Sequence, residues 1–185
     1  MNKLAAVLAF VFGASPALAA NLEITVSGEA NGKIVIHLRD DLAPAHVAQI
    51  SALANSGAYD GVVFHRVIDG FMIQGGGFTA DMQQKPTRAA IPLEAKNGLK
   101  NDRYTIAMAR TSNPDSATAQ FFINVANNDM LNAPQPDGHG YAVFGKVVQG
   151  QAVVDKIRTV ATGNRGMHQN VPTTPVTILS ATEIK

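Results

Sequence analysis

The chain has 185 residues, 15 basic and 14 acidic side chains, and no cysteine. Near-zero net charge gives no electrostatic case for nucleic acid or for an anionic membrane surface as partner. Without cysteine there are no disulfides, no thiol catalysis and no zinc–thiolate site.

The N terminus opens on a positive Met1-Asn2-Lys3, followed by a short apolar run, LAAVLAFVFGA, broken at Ser15-Pro16. Ala17-Leu18-Ala19 then supplies a small-x-small cleavage site. This pattern predicts a secretory signal peptide over residues 1–19, too short to serve as a membrane span. Cleavage after Ala19 or Ala20 removes Lys3 and leaves one domain, 20–185, large enough for a full core.

Leu22–Val26 alternates apolar and polar, and Ser27–Gly32 turns. Lys33–Leu38 alternates again with Ile34, Ile36 and Leu38 on one face. A helix is predicted over 43–55: Pro44 suits its first turn, Val47, Ile50, Leu53 and Ala54 form an apolar stripe, and Gly57 follows its end. Val62–Val67 and Phe71–Gln74 read as strands about an Asp69-Gly70 turn. Tyr104–Met108, Gln120–Val125, Ala142–Val147 and Val176–Ile184 read as further strands, and Gln151–Ile157 as a short helix. Two helices so far apart do not make a βαβ alternation. The expected fold is all-β, a closed eight-stranded antiparallel barrel capped by two α-helices, because closure removes edges. Gly75-Gly76-Gly77 marks a tight strand exit or a bulge. The long connections 75–103 and 126–141 are predicted to wall one site.

The usual catalytic devices are missing. No serine lies in GxSxG, and His37, His46, His65, His139 and His168 show no metal-ligand spacing. The glycine run lacks GxxxxGK, and no close carboxylate pair suggests glycoside hydrolysis. No metal or cofactor is expected. An enzyme of this composition would work without acid, base, nucleophile or metal. Rotation about an Xaa-Pro amide is one reaction that permits this. Its barrier of about 18–20 kcal/mol comes from amide resonance, which fades as the prolyl nitrogen pyramidalises. A fixed N–H donor aimed at that nitrogen stabilises the twisted state selectively. Arg66, set among Val62, Val63, Phe64, Val67, Ile68, Phe71 and Ile73, is the candidate donor. The pattern alone leaves alternatives open, since a lone strand arginine is often a rim residue or a structural ion-pair partner. The mixed faces of Met72/Gln74 and Gln120/Phe122/Asn124 would equally suit solvent.

Three segments, FHRVIDGFMIQGGGF, MARTSNPDSATAQFFI and YAVFGKVVQG, closely resemble in order the cyclophilin family of peptidyl-prolyl cis-trans isomerases. The resemblance covers most of residues 22–184 and implies the same barrel. It assigns Arg66 as the catalytic arginine and Phe71, Met72, Phe122 and Leu131 as walls of the proline pocket. Gln74 would orient the arginine, and Ala109 and Gln120 would line the groove for residues before proline. Tyr141 stands where many members have a pocket histidine. His65 is expected to be structural. Asp69 replaces a customary proline without loss of the turn, Arg110 is expected to add a cation to the groove, and Met130 replaces a tryptophan. The implied partners are proline-containing unfolded or flexible polypeptides, met as a monomer. Weak cyclosporin binding is expected, because methionine lacks the indole N–H and flat wall. With the signal peptide, the expected location is the periplasm. The alternatives are a proline-peptide-binding module or holdase with incidental catalysis, and a barrel with no site.

Overall fold

The computed structural model describes residues 20–184, so the signal-peptide reading falls outside the described residues. The elements in chain order are β1 (Asn21–Gly28), β2 (Gly32–Leu38), α1 (Pro44–Asn55), β3 (Val62–Ile68), β4 (Met72–Thr79), β5 (Thr105–Met108) and β6 (Phe121–Asn124). A one-turn 3-10 helix follows at Asp129–Leu131. Then come β7 (Val143–Gln149), α2 (Gln151–Arg158), β8 (Thr162–Arg165), β9 (His168–Pro172) and β10 (Val176–Ile184). Eight strands close an antiparallel barrel in the order β1-β10-β3-β4-β6-β5-β7-β2, and β8 pairs with β9 apart from it.

Period-2 alternation builds the interior. Leu22, Ile24 and Val26 of β1 and Ile34 and Ile36 of β2 point inward, beside Phe64, Ile73, Phe121, Ile123 and Phe144. Inside this core Phe121 meets the rings of Tyr59 and Phe64 edge-on, at 5.6 and 6.1 Å between centroids. Helix α1 has no side-chain cap of its own at Ala43. Glu94 supplies one from the far loop, accepting from the backbone N–H groups of Ala45 (3.1 Å) and His46 (3.0 Å) and meeting His46 Nδ1 at 2.6 Å. An anion at a helix N-terminus both satisfies orphan donors and complements the macrodipole. The cap also fixes the long 80–103 connection against the barrel.

Three features depart from strict alternation. Strand β4 does not stop at Gln74 but runs through the glycines to Thr79. A Cβ on Gly76 (φ +90°) would lie 2.9 Å from the Ala119 carbonyl, and one on Gly77 would lie 2.7 Å from the Gln120 side chain. The run is therefore strand that the 119–120 segment approaches closely. Strand β3 carries a bulge: Phe64 pairs with Gly75 and Arg66 pairs with Gln74, so His65 is the extra residue. Unbroken alternation would put Phe64 and Arg66 on one face. The bulge sends Phe64 into the core and Arg66 to the exposed outer surface. Finally, the β8–β9 hairpin was not expected. Its strands, TGNR and HQNVP, are polar except for the buried Val171 and Pro172 that end β9, and carry no apolar period.

Candidate active site

Neighbouring strands place the site's polar groups in a row on the barrel's outer face. Arg66 on β3 faces Gln74 on β4, and Gln74 faces Phe122 on β6. Arg66 Nη1 donates to Gln74 Oε1 at 3.4 Å, and Gln74 Nε2 donates to Gln120 Oε1 at 2.9 Å. The amide of Gln74 is thereby oriented by Gln120, with its oxygen turned toward the guanidinium.

Beside this row lies a second apolar cluster, separate from the barrel core. Met72, Ala107, Phe122, Leu131 and Val143 are buried in it, with Phe71, Ala109 and Tyr141 packed against them. Arg66, Phe71, Met72, Gln74, Ala109, Arg110, Phe122, Leu131 and Tyr141 line one cavity of about 190 Å³. Eight of the nine residues expected at the site thus line one space. The ninth, Gln120, stands one hydrogen bond behind Gln74. His65 does not line this cavity. Burial pushes its pKa down to about 4, and its ring packs edge-on against Phe78 at 4.7 Å. A larger depression of about 550 Å³ lies between Leu42, the 93–97 segment, Pro114-Asp115 and His139, without the arginine–glutamine row or the apolar dish.

Arg110 corrects its expectation. It does not add a free cation to the groove: its side chain is only 1% exposed. Nε and Nη2 donate to the Gly140 carbonyl at 3.1 and 2.7 Å, and Nη1 donates to the Thr111 carbonyl at 2.9 Å. Nη2 also pairs with Asp137 at 2.8 Å and holds that carboxyl below its ordinary range. The guanidinium covers the Tyr141 ring at 4.5 Å, and the other contact of that ring is edge-on to Phe122 at 5.7 Å. Arg110 thus anchors the 132–141 segment and fixes the Tyr141 wall. Met130 is half exposed and precedes Leu131, which is buried in the cavity wall.

Sequence reasoning missed a buried amide network behind the dish. Asn124 Nδ2 donates to Asn101 Oδ1 (3.1 Å) and Thr105 Oγ1 (3.0 Å), and Asn128 Nδ2 donates to Asn124 Oδ1 (2.7 Å). Asn128 Nδ2 also reaches the Phe71 carbonyl, and Asn101 Nδ2 reaches those of Leu131 and Tyr141. Three walls of the dish are therefore held by their main chains from one polar knot. It was also not foreseen that Asp69, in the turn beside Phe71, pairs with Arg158 of α2 at 2.5 Å.

The fold and site are those of a closed barrel that carries an arginine beside an apolar dish on its outer wall. Comparison with known proteins identifies the family. Residues 21–183 match the family model described as cyclophilin type peptidyl-prolyl cis-trans isomerase. Over 152 residues the chain is 60% identical to peptidyl-prolyl cis-trans isomerase cyp18 of Streptomyces antibioticus, covering 81% of this chain and 92% of that one. It is 54% identical to peptidyl-prolyl cis-trans isomerase A of Dickeya dadantii, covering 92% and 90%. It is 56% identical to peptidyl-prolyl cis-trans isomerase B of Escherichia coli, covering 82% and 94%. A crystal structure of a Cryptosporidium parvum cyclophilin shares the fold, with a TM-score of 0.74 at 22% identity, covering 91% and 99%. The chain belongs to the cyclophilin family. It is a peptidyl-prolyl cis-trans isomerase.

Proposed function

We propose that Arg66 carries the catalysis and that the substrates are unfolded segments of exported proteins, met in the periplasm by a monomeric enzyme. The observation that supports this reading is the Arg66–Gln74–Gln120 row beside the 190 Å³ apolar cavity. A proline ring seated on Phe71, Met72, Phe122 and Leu131 brings its nitrogen beneath the guanidinium. As the amide twists, that nitrogen gains a lone pair and accepts an N–H from Arg66. The planar amide has no such lone pair, so the bond forms only in the transition state. Gln74 holds the guanidinium in place, and the apolar walls exclude water and strengthen the contact. A 10⁵-fold acceleration requires about 7 kcal/mol from these terms together. No proton is transferred and no covalent bond changes.

The test is a protease-coupled assay on a short Xaa-Pro peptide. Arg66 is exposed, so Arg66→Ala should leave the melting temperature unchanged while lowering kcat/KM at least about tenfold, a loss of 1.4 kcal/mol or more. Full activity in the folded variant would refute Arg66 as the catalytic donor. Export is tested separately, by fractionating cells and sequencing the N terminus of the mature protein. Recovery of the unprocessed chain from the cytoplasm would refute it.

A further inference from the structure

The β8–β9 hairpin forms no barrel pairing, yet it is held against the reaction site. The ring of Phe78 is packed edge-on between His65 at 4.7 Å and His168 at 5.0 Å. Arg165 donates to the Ala80 carbonyl, and Val171 is buried. Between hairpin and barrel lies a trough of about 450 Å³, lined by Arg66, Phe78, Gln120, Met167 and the 168–170 segment, with His65 at its base. Arg66 also lines the proline cavity, and Gln120 touches Gln74, so the two spaces meet at the catalytic row.

Met167 stands at the hairpin tip, 98% exposed, where the other exposed large apolar side chains reach only 49–56%. An unbranched thioether adapts to irregular apolar partners and is common on surfaces that bind many sequences. The amides of Gln120, Gln169 and Asn170 can meet the main-chain groups of an extended chain. No carboxylate lines the trough.

We propose that this trough is a second polypeptide subsite. It takes the unfolded chain that flanks the isomerised prolyl bond and seats a bulky apolar side chain against Met167 and Phe78. This rests on the isomerase reading of the neighbouring cavity and assigns the enzyme a preference that the proline pocket cannot supply. A tetrapeptide leaves only two residues beyond the Xaa-Pro core, about 7 Å of chain, to enter the trough. A decapeptide with five residues before the proline and four after it reaches about 17 Å one way and about 14 Å the other, at 3.3–3.6 Å per residue.

The experiment compares a tetrapeptide with decapeptides of the same Xaa-Pro core whose flanks are alanine or carry one leucine at successive positions. Rates come from exchange spectroscopy, which needs no protease. A leucine at one or two flanking positions should raise kcat/KM by about 3- to 10-fold over alanine, the scale of partly burying one aliphatic side chain. In Met167→Ser that gain should vanish while tetrapeptide turnover stays the same. No leucine gain at any position overturns the proposal, as does a gain that survives Met167→Ser. Equal loss on tetrapeptide and decapeptide also overturns it, since the hairpin would then act through Arg66 alone. If the unmodified protein does not turn over the tetrapeptide, the isomerase reading itself fails.

Discussion

Asn124→Ala tests whether the amide network builds the dish. Asn124 is fully buried, and alanine removes three hydrogen bonds at once. The Thr105 hydroxyl still donates to the Asp102 carbonyl, and Asn128 Nδ2 keeps the Phe71 carbonyl. Asn101 Oδ1 is left buried without this donor. One orphaned acceptor at about 1–3 kcal/mol, with two lost bonds near 1 kcal/mol each, gives a loss of about 3–5 kcal/mol. At 2–4 °C per kcal/mol for a domain of this size, the melting temperature should fall by roughly 6–20 °C. Activity should fall as well, because the Phe71, Leu131 and Tyr141 carbonyls hang on the same knot. The Arg66–Gln74–Gln120 row lies outside it, so the loss should appear in KM rather than kcat, by a few-fold. Calorimetry and exchange kinetics on peptide, run below the variant's transition, measure both. An unchanged melting temperature refutes the energetic argument. A fall in kcat with KM intact refutes the division between walls and donor.

The proline cavity contains no histidine or carboxylate, so kcat/KM should be level from about pH 6 to 9 and indifferent to chelator; steep limbs on the profile would reveal acid–base chemistry. Stability should behave differently. His65 is buried and neutral with its pKa near 4 against 6.5, so the unfolded chain takes up the proton first as pH falls. Stability is then full above about pH 6.5 and declines toward pH 4, and His65→Gln should flatten that decline in thermal melts. Cyclosporin should inhibit poorly. Met130, exposed one residue before the wall residue Leu131, offers neither an N–H nor a flat wall, a deficit of about 2–3 kcal/mol or 30- to 150-fold in affinity. Met130→Trp should recover sensitivity, and nanomolar inhibition of the unmodified protein would refute the assignment.

The barrel is legible in the sequence because one-sided burial leaves a period. Ile34, Ile36 and Leu38 show it on β2, and Phe121 and Ile123 on β6. The dish was legible through motif residues, and its mixed faces are the outer faces of β4 and β6. What escaped has no local signal. β8 buries none of its residues and β9 only the adjacent Val171 and Pro172, so no alternation marks them. Asn101, Asn124 and Asn128 are ordinary polar residues until the fold brings their amides together. Arg110 reads as a groove cation because nothing near it in sequence announces that Gly140 and Asp137 will fold over it. The His65 bulge depends on which β4 residue each β3 residue faces, and pairing register is not a property of one strand.

The bulge makes the direction of Arg66 a matter of counting rather than of chemistry. Any side chain at position 65 that fits beside Phe78 keeps two residues opposite one, and the guanidinium keeps its outward aim. Flattening the bulge with every residue kept would put Arg66 on the face of Phe64, toward Phe121 and Ile123, and bury a charge with no partner, whereas deleting His65 sets Phe64 and Arg66 side by side on opposite faces of a regular strand. A deletion at position 65 would therefore keep the outward aim of the guanidinium and lose the ring packed on Phe78. Anyone grafting the Phe64-His65-Arg66 run onto another closed barrel would have to transplant the irregularity with it.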